Sequence, residues 1–180
     1  KYLVVFVGKL AYFKGVDILI KAAQQYNNKF NNDVSTLIVG DGELSEPLKS
    51  EVETLGLQNI HFLGHQSQDV LRHLYSVADV SVVPSRREPF GLVAIEALAW
   101  GSPVVATAEG GLAEIITGDV GSLVPVEDEN ALADAIYEEL TRLDKEKRKK
   151  YAERYAFANY SQEKIIDEMV AVYNSVIKEI

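Results

Sequence analysis

The sequence predicts an α/β fold: a doubly wound parallel sheet of about six strands, with helices on both faces and further helices at the C-terminal end. Three observations carry this. Short aliphatic runs recur without polar alternation, as strands covered on both faces should. Helical patterns with capping residues separate the runs, so successive strands run parallel through right-handed crossovers. From Asn130 onward the aliphatic runs stop and only helical patterns remain.

The first run, "KYLVVFVG", makes Tyr2–Val7 a buried strand. A chain that opens inside such a strand is expected to be a piece of something longer. A helix near Val16–Tyr26 follows, then a strand at Val34–Val39. The next helix, Glu46–Leu55, has Ser45 where an N-cap belongs and Gly56 where it should stop. Ile60–Leu63 is the third strand, and Ser67 caps the helix Gln68–Ala78. Val80–Val83 leads into a helix at Leu92–Trp100, stopped by Gly101. Val104–Ala106, a short helix at Gly111–Ile116 and Ser122–Val124 complete the sheet. The last helix begins after Ser161 and carries Ile165, Met169, Val172, Val176 and Ile180 on one stripe. No repeat, low-complexity segment or linker divides the chain, so residues 1–180 read as one Rossmann-like domain.

Composition narrows the function. The chain is 47% hydrophobic and 25% charged, an ordinary globular balance. Its net charge of −9 argues against a nucleic-acid surface. Without cysteine there are no disulfides and no thiolate metal sites. His61, His65 and His73 lack metal-ligand spacing, and no Asp-x-Asp pair offers a divalent site, so no metal is expected. No apolar run is long enough to span a membrane and no targeting segment is recognised, so a cytoplasmic location is expected. The basic run "DKEKRKKYAER", Asp144–Arg154, is interrupted by acids. It is expected to be a solvated helix face rather than a contact with anionic lipid. Trp100 lies at the far end of its helix from the N-terminus and is expected to pack in the core.

In doubly wound sheets, ligands bind at the carboxyl ends of the strands. The loops there are rich in glycine, which lets backbone approach a ligand closely. The first, "GKLAYFKG", holds Lys9 and Lys14 beside a helix start. Two cations there suit a phosphate or diphosphate, although solvated surface lysines read the same way. The second, "VGDGELSE", has Gly40-x-Gly42 but Ser45 where a dinucleotide fingerprint needs a third small residue, so it reads as a tight turn.

The most informative stretch is "SRREPFGLVAIEALAWGSPVVATAEGG", Ser85–Gly111. A helix starting near Gly91 points the N–H groups of Gly91, Leu92 and Val93 into the crevice, as unsatisfied donors for an anion. Glu88 precedes that terminus, and Glu96 lies about a turn and a half inside the helix. Carboxylates repel phosphate but accept hydrogen bonds from sugar hydroxyls. A nucleotide sugar fits the layout, with diphosphate at the helix start and a hydroxyl-bearing group at each glutamate. Plain surface charge near a helix start remains the alternative.

The stretch resembles the Glu-x7-Glu motif of retaining nucleotide-sugar glycosyltransferases of family four, which have two Rossmann-like domains (the GT-B architecture). "FVGKLAYFKGVDILIKA", "LIVGDGEL", "FLGH", "ADVSVVPSRREPFGLVAIEALAWGSPVVAT" and "GGLAEII" are similar to the donor-binding, C-terminal domain of that family, in the same order. Sucrose synthases belong to this family, and glycogen and starch synthases are close relatives of it. The Glu-Pro-Phe-Gly run with both glutamates is specific, whereas the other segments are weak singly and strong together. The helices after Ser161 are similar to the family's closing segment, near the domain junction.

The resemblance implies roles. Glu88 would touch hydroxyls of the transferred sugar, and Glu96 would hold the ribose. Lys9 and Lys14 would stabilise the departing diphosphate. Gly8, Phe90, Gly91, Leu92 and Val93 would set main chain against sugar and phosphate. Gly64, His65 and Gln66 would lie at the base. The family usually has arginine where Lys9 stands, and lysine loses the bidentate geometry. The implied reaction moves a hexosyl group from a nucleoside-diphosphate sugar to a sugar or lipid-linked hydroxyl, an α-glucan among the candidates. It retains configuration and uses no metal or cofactor. The acceptor would sit in a missing N-terminal domain, so the isolated domain is expected to be inactive alone. A non-catalytic nucleotide-sugar-binding module and a sugar-nucleotide epimerase of the same architecture are the alternatives.

Overall fold

The computed structural model describes residues 1–178. Its strands are β1 (Tyr2–Val7), β2 (Val34–Val39), β3 (Ile60–Gly64), β4 (Val80–Val83), β5 (Val104–Thr107) and β6 (Gly121–Val124). They pair in parallel as one sheet in the order β3-β2-β1-β4-β5-β6. Every residue of β4 and of β5 is buried, which is why these strands show no polar alternation.

Helices cover both faces. They are α1 (Val16–Lys29), α2 (Ser45–Thr54), α3 (Gln68–Val77), α4 (Leu92–Ala99), α5 (Gly111–Ile115), α6 (Glu129–Thr141), α7 (Lys145–Tyr160) and α8 (Gln162–Lys178). One core joins α1 and α6 to the sheet through Leu19, Ile20, Tyr26, Leu132, Ile136 and Leu140. The other gathers α3, α4, α5 and α7 around Tyr75, Leu98, Leu112, Ile115, Ala152 and Ala156. Successive strand residues feed opposite cores: Val82 belongs to the first and Val83 to the second.

The capping chemistry is mostly as the sequence implies. Ser67 Oγ accepts the Val70 N–H, and Gly56 and Gly101 follow their helices with φ of 66° and 76°. Ser45 differs from expectation. Leu44 holds the N-cap position, and Ser45 Oγ instead donates to Asp41 Oδ1 at 2.7 Å and accepts the Gly42 N–H at 3.2 Å. Its hydroxyl closes the Gly40–Gly42 turn instead of capping a helix.

Two expectations about side chains are corrected. Trp100 is not core: it is 45% exposed, with the Arg72 guanidinium 5.6 Å from its ring centroid. The basic run is not wholly solvated either. Arg148 is 5% exposed and its Nε lies 2.6 Å from Glu139 Oε1, at an angle outside hydrogen-bond geometry, while Nη1 donates to Gly118 O at 2.8 Å. Burial pushes the Glu139 carboxyl up against the opposing pull of Arg148. This buried ion pair joins α6, which packs in the first core, to α7, which packs in the second.

On α8, Ile165, Met169 and Val172 are exposed, while the Val176 side chain and Ile180 lie outside the described residues. No helix among the described residues is long and apolar enough to cross a membrane.

The Glu139–Arg148 pair sets a test of stability. Arg148→Ala strands a buried carboxylate and should cost about 3–5 kcal/mol in urea unfolding, whereas the apolar double replacement Glu139→Leu with Arg148→Met should cost much less. Equal losses in the two proteins would show that the ion pair is not what Arg148 contributes.

Candidate functional site

The strand order reverses direction of travel between β1 and β4, so the loops after these strands diverge and open a crevice at their carboxyl ends. The chain then presses the two loops together. The loop after β1 forms a short 3-10 turn, Tyr12–Lys14, and passes into α1 through Gly15 at φ 67°. A Cβ on Gly15 would lie 2.0 Å from the Pro84 carbonyl oxygen, so only glycine fits against the β4–α4 loop.

That contact brings Lys14 to Glu88. Lys14 Nζ donates to Glu88 Oε2 at 2.5 Å, with the two side chains 18% and 9% exposed. Ser85 Oγ donates weakly to the same oxygen at 3.4 Å, and the Gly91 N–H donates to Glu88 Oε1 at 3.2 Å. Three donors therefore already serve a carboxylate with about four acceptor directions. The Gly110–Gly111 turn holds the Glu88 main chain, with Gly111 N–H donating to Glu88 O at 3.1 Å.

The expected oxyanion-type donors at the start of α4 need one correction. Gly91 N–H is not free, because Glu88 takes it. The Leu92 and Val93 N–H groups have no acceptor among the described residues. Phe90 and Leu92 are 74% and 63% exposed, and Val93 is half-buried. The two lysines also differ. Lys9 is exposed and lies 3.6 Å from Glu43, whereas Lys14 is shielded and committed to Glu88.

A separate cleft of about 330 Å³ lies beside this cluster, lined by Gly8, Lys9, Gly40, Asp41, His65 and Gln66 over a floor of Val7, Val39 and Leu71. Gly64 shapes its wall at φ 63°, its carbonyl accepting the Gly40 N–H at 2.9 Å. Gln66 Nε2 donates back to Leu63 O at 2.6 Å, which fixes the side chain against the loop. Of the sequence-predicted residues, Gly8, Lys9, His65 and Gln66 line the cleft with Gly64 adjoining it, Lys14, Glu88, Phe90, Gly91, Leu92 and Val93 gather at the α4 terminus, and Glu96 lies further along that helix.

Glu96 is half-buried on α4, and its carboxylate has no hydrogen-bond partner among the described residues. Burial pushes its carboxyl above the ordinary value of 4.5. Tyr75, on α3, is 2% exposed and its hydroxyl has no partner among the described residues. Burial, and secondarily the Glu96 charge, pushes that phenol up. Sequence reasoning missed Tyr75, because a tyrosine on an apolar helix face reads only as core. It also missed Arg86, whose ion pairs reach 69 residues along the chain to Asp17.

With this geometry in place, the family model for glycosyl transferases group 1 matches residues 1–156. The chain belongs to that family. It is 41% identical over 122 residues to an uncharacterised glycosyltransferase of Methanocaldococcus jannaschii, covering 67% of this chain and 31% of that one. It is 37% identical over 180 residues to the D-inositol 3-phosphate glycosyltransferase of Corynebacterium urealyticum, covering 95% and 42%. Among solved structures, sucrose-phosphate synthase from Thermosynechococcus elongatus superposes with a TM-score of 0.86 at 32% identity, over 100% of this chain and 46% of that one. HepE of Anabaena in complex with UDP-glucose gives a TM-score of 0.85 at 28% identity, over 97% and 49%. The chain therefore spans less than half the length of each of these relatives.

The raised Glu96 carboxyl gives a signed prediction. A glutamate that binds its proton more tightly folded than unfolded loses stability as pH rises through the window just above 4.5. Glu96→Gln removes that loss, so urea unfolding should show the variant more stable than wild type at pH 7, with the difference vanishing below pH 4.5. A variant less stable at pH 7 would mean that the carboxylate is well served in the fold.

Proposed function

We propose that this chain is the nucleotide-sugar-binding part of a hexosyltransferase that moves a hexosyl group from a nucleoside-diphosphate sugar to a hydroxyl acceptor. One observation carries the reading: a shielded Lys14–Glu88 pair beside the free Leu92 and Val93 N–H groups, at the sheet's switch point. An anion and a polyol are recognised by different chemistry, and both kinds of group stand here within one loop and one helix turn.

On this reading the diphosphate lies on the α4 terminus and shares Lys14. The last acceptor direction of Glu88 takes a hydroxyl of the transferred sugar. Glu96, short of partners in the free protein, takes the ribose hydroxyls. The cleft by His65 and Gln66 receives the base. Breaking the bond between anomeric carbon and phosphate oxygen builds charge on the leaving diphosphate, which Lys14 and the two N–H groups stabilise. The acceptor oxygen forms the new bond, and its proton passes to the leaving phosphate. Retention of configuration by same-face attack is part of the proposal, as is the absence of any metal or cofactor. Glu88 positions the sugar and is not a covalent nucleophile, since its carboxylate is buried and already triply engaged. The acceptor site belongs to the part of the longer relatives that this chain does not span. UDP and UDP-glucose are the first ligands to test, because HepE is known in complex with both.

The pairing of Lys14 with Glu88 predicts opposite effects of Glu88→Gln on two ligands. UDP affinity should hold or rise, because Lys14 is no longer neutralised, while UDP-glucose should lose its advantage over UDP by about 1–3 kcal/mol in calorimetry. Glu96→Gln should weaken both ligands alike. Equal weakening of UDP by both variants would overturn the division of roles.

A further inference from the structure

We propose that Arg86 is a positioning residue that ties three strand-end loops together so that Lys14 meets Glu88 in one fixed geometry. Its importance for donor binding rests on the function proposed above, but its effect on the Lys14–Glu88 pair does not.

Arg86 stands two residues before Glu88 in the β4–α4 loop, yet each nitrogen of its guanidinium bonds to another segment of the chain. Nη1 and Nη2 fork onto the Asp17 carboxylate at 2.8 and 2.7 Å. Nε and Nη2 reach Glu127 at 2.5 and 3.1 Å, and Nη1 also donates to Tyr12 O at 2.7 Å. The Tyr12 ring stacks 4.1 Å from the guanidinium carbon. The main chain adds a second tie, with Arg86 N–H and Arg87 N–H both donating to Phe13 O, at 2.8 and 3.2 Å.

The placement of these ties matters more than their number. Tyr12 and Phe13 precede Lys14, and Asp17 follows it in the first turn of α1. Arg86 therefore clamps the chain on both sides of Lys14 from the same loop that carries Glu88. The third arm holds the loop after β6. Glu127 sits at φ 64°, a left-handed conformation that is costly for a glutamate and persists only where surrounding contacts impose it. The hydrogen bond from Arg86 is what holds the Glu127 carboxyl below its usual range.

A side chain 9% exposed, with its fork filled by two carboxylates and a carbonyl, is not available to a ligand. Arg86 thus acts through Lys14, and only a guanidinium can serve three oxygen groups in one plane. Lysine at this position would keep the charge and reach one partner at a time.

The test is a triple-mutant box in urea unfolding of this chain without ligand. The coupling between Lys14→Met and Glu88→Gln is measured first with Arg86 present and then in Arg86→Lys. The expected coupling is about tenfold in the unfolding equilibrium with Arg86, falling to less than about twofold in Arg86→Lys. Ordinary loss of stability cancels within each cycle, so an unchanged coupling overturns the proposal. If Arg86→Lys does not fold, Asp17→Asn takes its place with the same expectation. A second arm uses calorimetry with UDP and UMP. Arg86→Lys should weaken UDP about tenfold and leave UMP unchanged, because only UDP carries the distal phosphate that Lys14 would share. Equal weakening of both overturns positioning in favour of general loosening. If neither nucleotide binds the wild-type chain, the proposed function fails while the box still decides the role of Arg86.

Discussion

A buried carboxylate cannot stand alone, and Glu88 is the group around which the crevice is arranged. At 8% exposure it must be charge-paired and hydrogen-bonded. Its partners come from a turn 74 residues away, from the hydroxyl of Ser85 and from the start of α4. Ser85 is itself fully buried and is fixed by Thr107 Oγ1, which donates to its carbonyl at 2.6 Å. The requirement to satisfy one carboxylate thus couples the ends of β1, β4 and β5 to the first turn of a helix.

The sheet order makes that coupling possible. Placing β1 beside β4 sets the Lys14 loop and the Glu88 loop next to each other. Glycine then removes the last steric obstacle. Gly15 packs on Pro84, and Gly110, at φ 50°, packs with its hypothetical Cβ 2.2 Å from the Glu88 carbonyl oxygen. Backbone lies on backbone at both places, so the loops are located by contacts that leave little freedom to the side chains they carry.

Much of this was legible in the sequence, for a physical reason. β1, β2 and β4 fall at the bounds expected because each is largely covered on both faces and its run is mostly aliphatic, with only Ser35, Thr36 and Ser81 as short polar interruptions. Ends fixed by local chemistry were also readable, as at Ser67, Gly56 and Gly101. The end of α1 was not. Its last turn, Asn27–Lys29, is polar and gave no signal, and the helix stops at Asn31 and Asn32, both left-handed at φ 50° and 64°. Trp100 and Arg148 exchanged their expected places because burial is a tertiary property. α4 is apolar on most sides, so nothing local said that its last aromatic would meet Arg72 at the surface. The basic run likewise gave no sign that Glu139 waits inside for one of its cations. At the candidate site, residue types and spacing singled out both glutamates and the helix terminus, with plain surface charge as the alternative. The clasp of Lys14 on Glu88, and the fork of Arg86 on Asp17, join positions that no spacing rule connects.

The clasp also changes how the proposed site would handle charge. Two free lysines would make a cationic pocket that attracts any phosphate. Here Lys14 is neutralised by Glu88 before a ligand arrives, and the chain as a whole carries −9. An anion gains little from long-range attraction to such a surface. Its favourable contacts are short-ranged: the Leu92 and Val93 N–H groups and a share of a lysine whose position is already set. A phosphate alone satisfies only part of that arrangement. A ligand that also brings a hydroxyl to Glu88 keeps the carboxylate fully hydrogen-bonded while Lys14 turns toward the phosphate. Glu96 adds the same logic on the helix, since a half-buried carboxylate without a partner gains most from a ligand that supplies hydroxyl donors. Selectivity in this reading comes from leaving no buried charge unpaired in the complex, and a sugar joined to a diphosphate is the kind of molecule that meets the condition at both glutamates.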